Sequence, residues 1–108
     1  MTDPTRIGDF EQLVLLAILK LGDEAHGIRI RELLEDDAER PVSRGALYKT
    51  LERMEDKAFL TWEATTSTPE RGGIPRRCFV VLPAGVEALR HSRRILLGMW
   101  DGLESALG

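Results

Sequence analysis

Two groups of residues in this 108-residue chain could do chemistry on an anionic partner. The first is Ser43, Arg44, Gly45, Tyr48 and Lys49. It offers a hydroxyl, a guanidinium, a phenol and an ammonium, all of which donate to phosphate oxygens or base edges, and Gly45 permits close backbone approach. The second is Arg71, Arg76 and Arg77, set around Gly72 and Gly73, where charge could grip phosphates and the glycines let the chain follow a groove. The plainer alternative is that Ser43 only caps a helix, Tyr48 is a half-buried aromatic, and Lys49 and the arginines are solvated surface.

Charge distribution favours the first reading. The whole chain carries −3, yet the stretch from Arg40 to Arg77 holds eight basic and five acidic residues. A basic middle inside an acidic chain suits a local anionic partner better than general adhesion to nucleic acid. Enzyme chemistry finds no foothold: there is no serine, histidine and acid combination, no glycine loop leading to a phosphate-binding lysine, and no metal-ligand spacing. Asp36 and Asp37, beside Glu35 and Glu39, read as a solvated acidic helix end. No cofactor is implied. Cys78 reads as a small buried hydrophobe, and His26 and His91 as surface or helix-start residues. The longest apolar run, Leu13 to Leu19, has seven residues, too few to span a bilayer, so a cytoplasmic protein is expected.

The elements that must position these groups follow from hydrophobic spacing. Phe10, Leu13, Val14, Ala17, Ile18 and Leu21 repeat at helical intervals, and Leu15, Leu16 and Leu19 add apolar cover on other faces. A helix greasy on several sides suggests a subunit contact through Leu13 and Leu16. Gly22 ends it, and Ile30, Leu33 and Leu34 mark a second helix running to about Ala38. Ser43 is the N-cap of a third, Arg44 to Ala58, whose core side is Leu47, Thr50, Leu51, Met54 and Ala58. Leu60 to Thr66 and Arg76 to Leu82 read as a hairpin with a long tip, and Trp62 as packing against the third helix. Pro83 opens a final helix in which Val86, Leu89, Leu96, Trp100, Leu103 and Leu107 form a seam that wants another helix against it. The fold class is therefore mainly α with a small β hairpin, in the order of a winged helix-turn-helix. It forms one structural domain, with residues 1–83 the DNA-binding region and 84–108 a dimerisation helix.

The stretches FEQLVLLAILKLGDEAHGIRIRELLE, VSRGALYKTLERMEDKAFL and PERGGIPRRCFVVLPAG resemble the three sequence blocks of the PadR family of transcriptional regulators. The middle block is the specific part, through Ser43, Gly45, Ala46, Leu47, Tyr48, Leu51, Arg53, Met54 and Glu55. Ile74 and Cys78 depart from the usual wing residues. The resemblance implies a homodimer that binds a palindromic operator in double-stranded DNA, usually as a repressor. The short tail resembles the smaller subfamily, which implies a dimer interface including Leu96, Met99, Trp100 and Leu103. It also implies that a small hydrophobic or aromatic effector could stack on Trp100 beside Leu96 and Met99. A second reading is a protein-interaction or ligand-sensing module that kept the winged fold without binding DNA.

Overall fold

The computed structural model describes residues 6–65 and 76–108. Five main elements follow the expected order: α1 (Asp9–Leu21), α2 (Gly27–Ala38), α3 (Arg44–Asp56), a hairpin of β1 (Leu60–Thr65) and β2 (Arg76–Val81), and α4 (Pro83–Trp100). The hairpin tip and Arg71 lie outside the described residues. A 3-10 turn, Gly22–Glu24, joins α1 to α2, and a four-residue helix, α5 (Glu104–Leu107), closes the chain.

The core forms where the apolar stripes of the three helices converge. Val14, Leu15 and Ile18 of α1 meet Ile30 and Leu34 of α2 and Leu47, Leu51 and Met54 of α3. Phe59, Leu60 and Phe79 carry it into the base of the hairpin, and Ala88 and Leu89 seal it from α4. The strands pair antiparallel from Leu60 opposite Val81 to Thr65 opposite Arg76. Two backbone bonds fasten the hairpin to the helices: Phe79 N–H donates to Ala25 O, and Leu82 N–H donates to Phe59 O, each at 2.9 Å. The hairpin base is thereby a fixed extension of the helical body.

Two boundaries differ from the sequence expectation. Helix α3 ends at Asp56 rather than Ala58, which is exposed at φ 61°. Ala58 N–H donates to Glu55 O and Phe59 N–H to Met54 O, so the backbone closes the helix with a left-handed cap although no glycine is present. The terminal seam is likewise not one helix. It breaks after Trp100, where Asp101 is extended and Gly102 takes φ +83°, and only Glu104–Leu107 resumes helical geometry. Regular leucine spacing continued across a point at which glycine releases the backbone.

An ion cluster couples α1 to α3. Glu11 is 5% exposed, and its carboxylate accepts from Gly8 N–H at 3.0 Å, Lys57 Nζ at 3.1 Å and Arg53 Nε at 3.2 Å. Burial pushes the proton affinity of this carboxyl up. The Gly8 amide, Lys57 and Arg53 outweigh that effect and hold its pKa below the ordinary value of 4.5. A depressed folded-state pKa means that the stabilisation is complete above 4.5 and is lost as pH falls through the lower folded value. Because Arg53 and Lys57 are half exposed, Glu11→Gln should cost about 1–2 kcal/mol at neutral pH. Urea unfolding at neutral and acid pH checks this. The gap between wild type and Glu11→Gln should shrink below about pH 4, and a gap independent of pH would remove the cluster from the acid response.

Candidate nucleic-acid interface

The cap of α3 is built as its sequence dictates. Ser43 is extended, and its Oγ accepts from Ala46 N–H at 3.1 Å, which leaves the hydroxyl proton free to donate outward. Arg44, Gly45 and Lys49 are exposed on the outer side of the helix. A Cβ built on Gly45 would meet nothing within 4 Å, so this position faces open space. By helical geometry Arg53 and Lys57 lie on the flank away from Arg44 and Tyr48, where Glu11 engages them. Two of the basic residues that gave the middle of the chain its positive balance are therefore structural cations.

Tyr48 combines both readings offered for it. It is half-buried, its ring stands edge-on to Phe79 with centroids 6.3 Å apart, and the Arg44 guanidinium lies 5.6 Å from its centroid. Its hydroxyl points to the start of α2, where a Cβ on Gly27 would come within 2.5 Å of Oη. Glycine at 27 is thus what lets the phenol sit against α2. Because the ring supports Phe79, Tyr48→Ala would disturb packing as well as binding; Tyr48→Phe is the variant that isolates the hydroxyl.

Across from Tyr48, Arg76 and Arg77 open β2. The Arg77 guanidinium stacks 4.4 Å from the centroid of Trp62, which orders the side chain at the wing. Arg76, Arg77, Arg44, Tyr48, Arg31, His26, Gly27 and Ile28 line one cleft of about 750 Å³. Among the described residues, four arginines and no carboxylate line this space. Arg44, Lys49, Arg76 and Arg77 form no ion pair among the described residues.

The cleft draws on the first turns of α2, which the sequence reading left out. Arg31 joins the cleft from α2, and its Nε donates to Val42 O at 3.0 Å and holds the turn before α3. Only the spacing of Gly27 after a turn could have hinted at close packing there.

The model of the transcriptional regulator PadR-like family matches residues 15–91. The chain belongs to that family. Its PadR-like fold is similar to the crystal structure of a PadR family transcription regulator from hypervirulent Clostridium difficile R20291, with TM-score 0.71 and 21% identity over 92% of this chain and 99% of that one. A PadR family transcriptional regulator from Eggerthella lenta DSM 2243 is similar at TM-score 0.64 and 25% identity, over 89% and 81%. No curated protein matches the chain. The family is one of transcriptional regulators and not of enzymes.

The PadR-like chain has a second concave surface, apolar and remote in character from the first. A groove of about 460 Å³ runs between α1 and α4, lined by Leu16, Leu19, Val86, Leu89, Leu96, Leu97 and Trp100 with Gln12, Arg90 and Arg93 at its polar edges. Of the residues expected at a dimer interface, Leu16, Leu96, Met99, Trp100, Leu103 and Leu107 are exposed. Leu13 and Leu89 pack on the chain's own core, and Leu89 also lines the groove. Trp100 and Leu96 line the groove, whereas Met99 lies outside its lining and is 72% exposed. Among the described residues no helix is long and apolar enough to cross a membrane.

Proposed function

We propose that this PadR-like regulator is a homodimeric, sequence-specific DNA-binding repressor. The observation that carries the reading is the cleft lined, among the described residues, by four arginines and no carboxylate, placed beside the open outer side of α3. In this reading α3 enters the major groove, with Arg44, Tyr48 and Lys49 at base edges or phosphates. Ser43, Arg71, Arg76 and Arg77 hold the backbone, and Gly45 allows the helix to sit deep. Two copies related by a two-fold axis would place their α3 helices about 34–36 Å apart, which matches a palindromic operator.

The dimer reading rests on the apolar side of α4. Exposed leucines, a methionine and a tryptophan on one terminal helix amount to an uncovered hydrophobic seam, which a second copy would bury. The adjoining groove falls within the range of about 300–1,000 Å³ typical of small-molecule sites. A hydrophobic or aromatic effector would stack on Trp100 beside Leu96 and release the protein from DNA by changing the dimer.

The test is fluorescence anisotropy with the DNA upstream of its own gene and with an unrelated duplex, each at two salt concentrations. The expected result is tight binding to the first, weaker and more salt-sensitive binding to the second, and one dimer per site. Tyr48→Phe should weaken the tight complex roughly ten- to hundredfold, the value of one hydrogen bond to a charged group at about 1.5–3 kcal/mol. Equal affinity in that variant would take the hydroxyl out of the interface, and no binding to either duplex at low salt would sink the DNA reading.

A further inference from the structure

None of the contacts assigned above uses the opening turn of α2. His26 occupies the N-cap position there, yet its side chain makes no cap hydrogen bond, and the first turn holds no carboxylate. The amides that begin α2 therefore stand uncompensated at the positive end of a twelve-residue helix. His26 is 8% exposed, its Nδ1 is buried with no hydrogen-bond partner, and its ring lines the arginine cleft. A buried ring nitrogen without a partner is costly, and it marks a place where something is to be gained on binding.

Charged and titratable groups share the turn and the cleft of this imidazole. The Glu24 carboxylate lies 3.8 Å from Nε2, and Asp23 precedes it in the same turn. Arg31 comes from α2, Arg44 and Tyr48 from α3, and Arg76, Arg77 and Cys78 from β2.

We propose that this cleft seats a phosphate of the DNA backbone at the start of α2, and that His26 takes up a proton as the phosphate enters. The proposal rests on the DNA-binding reading. An entering phosphate offsets the field of the arginines and gives the charged ring an anionic neighbour, so the protonated form is favoured more in the complex than in the free protein. Binding and protonation are then linked, and DNA affinity must rise as pH falls. Imidazole is the side chain whose ordinary titration lies between pH 5 and 8, so the effect falls in an accessible range.

A labelled duplex of mixed sequence at low salt is a sufficient probe, because a phosphate seat does not read sequence. Anisotropy titrations between about pH 8 and pH 5.5 at fixed ionic strength should show wild type tightening by about tenfold, the equivalent of one unit in proton affinity. His26→Gln, its folding checked by circular dichroism, should still bind but lose most of that pH dependence. His91→Gln, on α4, should keep it. Equal pH dependence in wild type and His26→Gln, or none in wild type, overturns the proton uptake while leaving DNA binding standing. Absence of binding at every pH overturns both.

Discussion

Gly85→Ala is expected to destabilise the fold by about 2–3 kcal/mol, among the larger effects available to a single methyl group. A Cβ at this position would lie 2.3 Å from the carbonyl oxygen of Phe59 and 2.9 Å from Cγ1 of Val81. The first of these is backbone and cannot swing aside. That same carbonyl accepts the Leu82 N–H bond that seats α4 on the hairpin, so relief of the clash must stretch a buried hydrogen bond. Thermal unfolding should report a fall on the order of 10–20 °C, given about 4–8 °C per kcal/mol for a domain of this size. A loss below about 0.5 kcal/mol would mean that α4 is not held at Gly85 as described. Gly27→Ala makes a useful contrast. There the obstructing atom is the end of the Tyr48 side chain, which can move.

The second large effect concerns assembly. Trp100→Glu should raise the dimer dissociation constant by about 100-fold or more, because association would bury a carboxylate where an indole had removed apolar surface from water. Trp100 is half exposed in the single chain, so the variant should remain folded as a monomer. Sedimentation equilibrium separates these outcomes, and DNA affinity should fall along with the dimer since each half then binds alone. A wild-type monomer at micromolar concentration, or a variant that dimerises unchanged, would refute the α4 interface.

The order of elements was legible in the sequence because each boundary has local punctuation. Gly22 closes α1, Ser43 caps α3 and Pro83 opens α4, all at the expected places. What could not be read locally was set by distant partners. Glu11 looks like any surface acid at a helix start, and its burial depends on cations 42 and 46 residues away. The demand for glycine at 27 and at 85 comes from Tyr48 and Phe59, neither of which is near in sequence. Ala58 misled because its spacing fits the core face while the backbone there turns left-handed to start β1. The seam through Leu107 misled for the opposite reason: periodicity persisted where Gly102 let the helix stop. Of the site, Arg44, Tyr48, Arg76 and Arg77 were anticipated and share one cleft, but the part supplied by α2 emerged only from folding.

Helix α1 has one end in each half of the molecule's business. Its first turn is clamped to α3 through Glu11, Arg53 and Lys57, and Leu16 and Leu19 further along form a wall of the apolar groove. It is in effect a lever arm of thirteen residues, tied near its start to the C-terminal end of α3 by three charged side chains. In the proposed dimer, an effector that filled the groove and tilted α1 would pass that tilt to α3 through these ion pairs. The quantity it alters is the separation of two α3 helices measured against the fixed pitch of DNA. On the proposed reading, a mismatch of a few ångströms there would lift one helix out of register while the other is seated, so a small displacement at the groove would be enough to end binding.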